Sequence, residues 1–231
     1  MHGIGSGDKT GTIQFHSQAR DIVSCSTASA LDVYSLERPH EAVLRVHTTC
    51  KQHVWSPTGT TLLAYSPQNT ISITDPRSKD VAQEITTRYQ PARPSHTAFL
   101  NDTTIIATGT AATRTLSLYD LRSPLSPKQT IQFDPAAPSV GLLPLPDRAR
   151  NVAYIVQKHS SSVYAFDFNA ANALPTTLQV PSTIVDAAML PVGEVDVMRA
   201  EINRLFILTR RHEIVPVSVR VERKVRPPLS W

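Results

Sequence analysis

The side chains most able to do chemistry in this sequence are its histidines and its two cysteines, Cys25 and Cys50. The histidines show no H-E-x-x-H or similar paired spacing, so they predict no metal site. No G-x-S-x-G motif is present, and nothing near Cys25 would lower the pKa of its thiol. We therefore predict a protein that is not an enzyme and that binds no metal or cofactor. The eight histidines are expected on the surface or at the rim of the fold: His2, His16, His40, His47, His53, His96, His159 and His212.

The first residues of the chain are rich in glycine, in the run Gly3-Ile4-Gly5-Ser6-Gly7. No strand precedes this run and no helix follows it, so it fails the test for a dinucleotide-binding loop. We interpret residues 1–11 as a flexible N-terminus that lacks the apolar core of a secretory signal. No apolar run approaches the roughly 20 residues of a membrane span. Two cysteines are too few for a disulfide scaffold, so a cytoplasmic protein is predicted.

Positive charge is concentrated in the C-terminal part of the chain. From Ala200 onward there are seven basic and three acidic residues, and this segment carries the whole net charge of +4. A basic surface attracts acidic partners through its long-range field, although a solubilising rim explains the same charge. Nucleic acid is not predicted as a partner, because only Phe206 and Trp231 are near enough to stack on bases. The candidate contacts to an acidic partner are Arg210, Arg211, Arg220, Arg223 and Lys224.

Short β-rich runs separated by turn residues dominate the sequence, and its 18 prolines would interrupt most helices. One pattern recurs within these runs, in which alternating apolar residues end on an aspartate or a substitute. The pattern ends at Ser35, Asp75, Asp120 and Asp167, at intervals of 40, 45 and 47 residues. A period near 40–45 residues with four short strands per unit is typical of WD40-type β-propeller blades. The sequence therefore predicts an all-β propeller.

The Trp-Asp dipeptide that closes an ideal WD40 repeat is altered in this chain. Tyr119 and Phe166 stand in the aromatic position and are expected to pack between sheets. Asp75, Asp120 and Asp167 follow the strands and are expected to hold turns. The aspartate usual seven residues earlier is replaced, so the side-chain network of strong WD40 blades should be incomplete. The replacing residues are Gln68, Thr113 and Ser160.

Several segments resemble the coronin family more closely than they resemble WD40 repeats in general. The run from Arg93 to Leu100 is similar to a coronin blade in which an Arg-Pro turn leads into an "AIFL" strand. Leu116–Asp120 stands where coronins read "LALWD", and Asp75-Pro76-Arg77 resembles their "IDPR" blade end. Glu201–Phe206 resembles the family-specific "EIARFF". The matches run in order over nearly the whole chain, from about residue 13 to residue 224.

The resemblance implies a seven-bladed propeller from a family that binds and organises actin filaments, and hence a cytoplasmic, cytoskeleton-associated protein. The chain aligns from the first strand of the third coronin blade, near Thr12–His16, so the first two blades are missing from it. The best-known basic actin contact of the family lies in that missing part and is not carried over. We hypothesise that the sequence is a shortened gene model or isoform.

We predict a partial propeller over residues 12–224 and a C-terminal tail over 225–231. Five blades at the seven-blade angle would form an open arc, whose uncovered sheet faces and edges favour aggregation or pairing. No heptad repeat follows Lys224, so no coiled coil is predicted and the oligomeric state stays open. The predicted blades cover approximately 12–50, 51–90, 91–134, 135–180 and 181–224.

Three functional hypotheses follow from these observations. The first is a non-catalytic coronin-like protein that binds actin filaments or their regulators through propeller surfaces. The second is a WD40 scaffold in vesicle or Golgi traffic, as in the tandem-propeller branch of the family. The third is a truncated fragment without independent function.

Overall fold

The computed structural model describes residues 11–27, 29–78, 81–91, 93–133, 141–169 and 175–221. In this part of the chain, nineteen β-strands form five antiparallel sheets. Each of the first four sheets is a meander of four consecutive strands, and the fifth contains three strands among the described residues. The predicted all-β class and the predicted set of about five blades are confirmed.

The strands follow one another in order within each blade. The first blade contains β1 (Ile13–Phe15), β2 (Ile22–Ser26), β3 (Leu31–Ser35) and β4 (Arg38–Val46). The second contains β5 (Gln52–Trp55), β6 (Leu62–Tyr65), β7 (Thr70–Thr74) and β8 (Val81–Thr86). The third contains β9 (His96–Phe99), β10 (Thr104–Thr110), β11 (Arg114–Asp120) and β12 (Gln129–Gln132). The fourth contains β13 (Leu142–Asp147), β14 (Val152–Gln157), β15 (Ser162–Asp167) and β16 (Thr176–Gln179). The fifth contains β17 (Ile184–Met189), β18 (Glu201–Thr209) and β19 (Ile214–Arg220).

Tight turns between the strands use residues that tolerate unusual backbone angles. Gly59 has a φ of 74° in the turn between β5 and β6, where its N–H donates to the Ser56 carbonyl at 3.0 Å. Asn69 and Asn151 adopt φ values of 66° and 59°, in the left-handed region that asparagine enters more easily than most residues. The short loops keep consecutive strands antiparallel and adjacent.

The first strands of successive blades lie side by side and line the inside of the arc. Contacts join β1 to β5, β5 to β9, β9 to β13 and β13 to β17. Between β5 and β9, the Gln52 amide makes two hydrogen bonds to the Thr97 backbone, accepting from its N–H at 3.0 Å and donating to its carbonyl at 3.2 Å. Between the third and fourth blades, the Thr108 hydroxyl donates to the Leu142 carbonyl at 2.6 Å. The inner strands therefore run in the same direction and begin on the same face of the propeller.

Apolar side chains from neighbouring blades pack together and fill the spaces between the sheets. Trp55 and Leu62 of the second blade pack on Leu31 and Val33 of the first. The other three spaces are filled in the same way, by clusters around Phe99, Phe166 and Leu205. Each sheet is thus stabilised by burial against its neighbours, as the hydrophobic effect requires of a sheet with two apolar faces.

The first and last blades expose apolar side chains at positions that the blades between them cover with a neighbouring sheet. On the first blade, Ile13 and Phe15 are 62% and 68% exposed. On the last blade, Ile214 of β19 is 68% exposed. The connection from β17 to β18 holds two short 3-10 helices, Val192–Glu194 and Val197–Arg199, which the sequence patterns did not predict.

Candidate functional site

The first strands of all blades run in the same direction, so the propeller has two different faces. We call the face where these strands begin the upper face and the opposite one the lower face. The upper face is formed by the residues that lead into the first strand of each blade and by the turns between second and third strands. The lower face is formed by the turns between first and second strands and between third and fourth strands. Any residue at one of these positions can therefore be assigned to a face.

The upper face carries cations that have no carboxylate partner. Lys51 precedes β5, Arg93 precedes β9, and Arg210 and Arg211 lie in the turn between β18 and β19. Within the described part of the chain, none of these four side chains takes part in an ion pair. Glu213 lies in the same turn as the two arginines and offsets only one of the four charges. The upper face is therefore positively charged.

A shallow cleft of about 550 Å³ opens at the upper face beside the inner strands. Its basic residues are Lys51 and Arg93, and no carboxylate lines it. The Lys51 ammonium donates to the Pro91 carbonyl at 2.7 Å, which holds the charge at the rim of the cleft. The remaining lining is polar or small: Thr12, Gln14, Gln52, Pro94, Ser95 and His96. Such a lining suits an acidic group rather than a cationic or apolar one.

His96 lies at the edge of this cleft and is half-buried. Burial, followed by the positive charge of Lys158, lowers the pKa of His96 to about 4. His96 is therefore neutral at pH 7 and offers hydrogen bonds rather than charge. Lys158 forms an ion pair with Asp186, whose carboxylate oxygen lies 2.9 Å from the ammonium nitrogen.

A second shallow cleft, of about 450 Å³, lies farther along the upper face. Arg210 and Arg211 line it together with Thr183, and again no carboxylate does. The Arg210 backbone N–H donates to the Thr183 carbonyl at 2.9 Å, so the turn is tied to the start of β17. This tie fixes the backbone beneath both guanidinium groups.

The structure divides the basic residues predicted from the C-terminal segment. Arg210 and Arg211 lie together on the upper face. Arg220 pairs with Glu201 in the register of β18 and β19 and lies at the lower end of the last strand. At about 3.3 Å per residue, seven residues of β19 place it roughly 20 Å away. Arg223 and Lys224 lie outside the described residues.

Carboxylates are frequent on the lower face, and many are paired. Arg122 lies 2.6 Å from Asp120, Arg150 lies 2.9 Å from Asp147, and Arg199 lies 3.3 Å from Asp196. Hydrogen bonds from Arg122 lower the pKa of Asp120 to about 2. The opposite charges of each ion pair largely cancel and generate little long-range field. This face therefore attracts an acidic partner less strongly than the upper face does.

The three blade-end aspartates share one arrangement at the lower face. Each accepts a hydrogen bond from the backbone N–H two residues later, at 2.9 Å for Asp75, 3.0 Å for Asp120 and 2.9 Å for Asp167. This is the Asx-turn geometry that stabilises a tight reversal of the chain. The aspartates therefore shape turns, and nothing in their surroundings indicates another role.

The two blade-end aromatic residues are buried between blades. Tyr119 belongs to the core between the second and third blades. Phe166 is fully buried between the third and fourth blades, where its ring meets Phe133 edge-on at 5.9 Å and stacks on Phe168 at 6.0 Å. Both side chains contribute apolar packing.

His53 corrects the expectation that the histidines lie at the surface or the rim, because its side chain is fully buried. Its Nε2 lies 2.8 Å from Ser24 Oγ, and its Nδ1 lies 2.9 Å from Thr12 Oγ1. A serine beside a histidine resembles a nucleophile and its base, but Ser24 is also fully buried and receives a hydrogen bond from Trp55 Nε1 at 2.9 Å. A substrate cannot reach it.

Lys51, Arg93 and His96 were not identified from the sequence. They are far from the basic C-terminal segment, and the coronin-like run that contains Arg93 and His96 does not mark them as binding residues. The signal was their position in the repeat, because Lys51 and Arg93 both stand shortly before the first strand of a blade. Superposing the repeat units would have placed them on one face with Arg210 and Arg211.

Two further observations concern the described residues. No three of their His, Cys, Asp and Glu side chains converge in a way that could hold a metal ion. No helix among them is long and apolar enough to cross a membrane.

The sequence and the fold of this chain are similar to those of known proteins. No protein-family model matches the chain. Coronin-7 of Rattus norvegicus is 25% identical over 220 residues, which cover 92% of this chain and 24% of the relative. The solved WD40 domain of Toxoplasma gondii coronin superimposes with a TM-score of 0.86 at 20% identity, over 95% of this chain and 58% of that one. The chain thus spans about a quarter of the curated relative and little more than half of the solved domain. The coronin resemblance predicted from the sequence is confirmed.

Proposed function

We propose that this coronin-like WD40 propeller chain is a non-catalytic binding protein whose upper face holds an acidic partner. The observation that carries the proposal is the placement of Lys51, Arg93, Arg210 and Arg211. These four cations come from three different blades and lie on the same face, without ion-pair partners in the described residues. Unpaired cations around clefts free of carboxylates are complementary to an acidic surface.

The partner we propose is the actin filament, with a cytoplasmic, cytoskeleton-associated location. The coronin resemblance implies this partner, and actin is an acidic protein. Of the contacts predicted from the sequence, we retain Arg210 and Arg211 and add Lys51 and Arg93. Arg220 would contact a partner only at the lower face. Arg223 and Lys224 remain predictions.

Co-sedimentation with filamentous actin tests the proposal. The full chain should pellet with filaments at low salt and less at physiological salt, because screening weakens contacts between exposed charges. Replacing the four upper-face cations, as Lys51→Gln, Arg93→Gln, Arg210→Gln and Arg211→Gln, should weaken binding at least about tenfold, or roughly 1.4 kcal/mol.

A matched control removes the same charge from the lower face. The variant Arg20→Gln, Arg38→Gln, Arg77→Gln and Lys128→Gln should bind within about twofold of wild type, since scattered exposed charges contribute little. Equal weakening by both variants would show a general charge effect and contradict the upper-face site. Background pelleting of wild type at both salt concentrations would contradict the actin partner.

A scaffold in vesicle or Golgi traffic is the second candidate. The curated relative is about four times as long as the part this chain matches, which leaves room for more than one propeller. That length favours the tandem-propeller branch of the family. Affinity purification from cells, scored for cytoskeletal against Golgi partners, separates the two functions. Recovery of neither class would favour a fragment without independent function.

A further inference from the structure

The chain contains four Ser-Pro dipeptides, and the fold treats them differently. Ser56 and Ser66 are buried in turns at opposite ends of the second blade, at 1% and 5% exposure. Ser123 is exposed, but the proline that follows it is buried. Ser126 and Pro127 are both exposed. An enzyme that must reach both the hydroxyl and the next proline finds them together at Ser126 alone among these four.

Ser126 stands near the tip of the loop that joins β11 to β12. The base of this loop is fixed, because the Ser123 N–H donates to the Asp120 carbonyl at 2.9 Å and the Lys128 N–H donates to the Leu118 carbonyl at 2.7 Å. Between these anchors, Leu125 is 97% exposed. The loop therefore presents a short projecting segment, which is the form in which a kinase receives a substrate peptide.

The cleft beside this loop has a lining suited to phosphate. It has a volume of about 350 Å³ and lies between the end of the second blade and the outer strands of the third. Ser126 lines it, and Arg88 supplies its cation. Polar side chains complete the lining, and no carboxylate belongs to it: Thr86, Tyr89, Thr115, Ser117, Tyr119, Thr130 and Gln132. The hydroxyls of Tyr89 and Thr115 already donate to backbone carbonyls, which leaves Thr86, Thr130 and Gln132 as the donors nearest in kind to what a phosphate needs. A guanidinium with surrounding hydroxyl and amide groups is the donor set that binds a phosphate dianion.

We propose that Ser126 is a phosphorylation site for a proline-directed kinase, and that Arg88 binds the resulting phosphate across the cleft. In the reaction, Ser126 Oγ attacks the γ-phosphorus of a nucleoside triphosphate. The bond between Oγ and phosphorus forms as the bond to the nucleoside diphosphate breaks, and the kinase base takes the hydroxyl proton. Pro127 and the basic Lys128 that follows supply the sequence context.

The expected consequence is a new tie between two blades. Arg88 follows β8 of the second blade, whereas Ser126 belongs to the third. A phosphoserine carries about −1.5 to −2 charges at pH 7 and strong acceptor oxygens, so it would join the two across a cleft that is open without it. The proposed tie does not depend on whether the upper-face cations bind actin.

Phosphorylation of the full, folded chain by a purified proline-directed kinase tests the first half of the proposal. Mass spectrometry should place most of the phosphate on Ser126. The variant Ser126→Ala should lose at least about nine-tenths of the incorporation, whereas Ser123→Ala should keep it. A synthetic peptide of residues 119–131 shows that the kinase accepts the sequence. Modification of the peptide but not of the folded chain, or equal modification of Ser123 and Ser126, would overturn the proposal.

The phosphate's titration, followed by phosphorus NMR, tests the second half. A nearby guanidinium lowers the pKa of a phosphoserine, so the second pKa in the phosphorylated chain should lie about half a unit below that in an Arg88→Gln chain. Arg77→Gln removes another exposed arginine, from the turn between β7 and β8, and should leave the value unchanged. Identical titration in the wild-type and Arg88→Gln chains would show that Arg88 does not bind the phosphate.

Discussion

His53 of the second blade hydrogen-bonds Ser24 of the first, with 2.8 Å between Nε2 and Oγ, in a space closed to solvent. Ser24 Oγ also accepts a hydrogen bond from Trp55, and the other ring nitrogen of His53 lies 2.9 Å from the hydroxyl of Thr12, the residue before β1. Hydrogen bonds connect these four side chains and so join the two blades. Each of the buried polar groups thereby has a partner that apolar packing could not supply.

The first prediction concerns acid stability. Burial lowers the pKa of His53 to about 4, whereas an unfolded histidine titrates near 6.5. Below pH 6.5 the unfolded chain binds protons that folded His53 excludes, so stability should fall as pH drops from about 6.5 toward 4. The loss from His53 should reach roughly 3 kcal/mol. Urea unfolding at several pH values measures it.

Histidine variants separate the contributions to this fall. His53→Gln should flatten the pH dependence markedly, and His96→Gln should flatten it further, because the pKa of His96 is also lowered to about 4. His47→Gln, at an exposed position, should leave the dependence unchanged. A wild-type chain whose unfolding midpoint stays constant from pH 7 to pH 4 would contradict the buried, neutral state of His53.

The second prediction uses two glycines with different surroundings. A Cβ added at Gly109 would lie 2.4 Å from the Tyr89 ring, whereas one at Gly193 would meet nothing within 4 Å. Gly109→Ala should push the ring aside, strain its 2.9 Å hydrogen bond to the Ala107 carbonyl and cost about 1–3 kcal/mol. Gly193→Ala should stay within about 0.5 kcal/mol. Chemical denaturation compares them, and equal effects would refute the packing of Tyr89 on Gly109.

The third prediction concerns the buried junction of the fourth and fifth blades. The Asn203 amide donates to an Asp147 carboxylate oxygen at 2.8 Å and lies 2.9 Å from the Tyr154 hydroxyl. Asn203→Ala should cost about 2–3 kcal/mol, because the buried carboxylate loses a donor. Tyr154→Phe removes only a neutral hydroxyl and should cost about 1 kcal/mol. A smaller loss for Asn203→Ala than for Tyr154→Phe in urea unfolding would contradict this account of the junction.

The fourth prediction concerns the exposed end of the arc. Ile13 and Phe15 form an apolar patch on a sheet face, and such patches promote association. Sedimentation velocity should show wild type associating as concentration rises, and Ile13→Lys with Phe15→Lys should reduce this. Leu125→Lys removes an exposed but isolated apolar side chain and should change nothing. A monomeric wild-type chain at high concentration would contradict the prediction.

Much of the fold was predictable because the repeat is a local signal. The recurring apolar alternation and turn residues mark the strands within a few residues of where they lie. The pattern that ends at Ser35, Asp120 and Asp167, for example, ends at the same residues as β3, β11 and β15. Interactions between blades were not predictable in this way. His53 lies 29 residues from Ser24 and 41 from Thr12, and no pattern in the sequence couples them.

The candidate surface shows the same limit. Arg211 and Arg220 are close in sequence, but β19 runs between them and carries them to opposite faces. Lys51 and Arg93 are distant in sequence from Arg210, but the repeat brings them to the same face. Charge counted along the chain therefore located part of the surface and missed the rest.

Zero-length cross-linking to actin filaments tests the upper-face site most directly, because carbodiimide joins a lysine amine only to a carboxylate in contact with it. Lys51 lies at the upper face, and Lys128 is another exposed lysine, at the end of the loop between β11 and β12. We predict that mass spectrometry will find actin carboxylates joined to Lys51 in clear excess over Lys128. Cross-links at Lys128 without any at Lys51 would contradict the account.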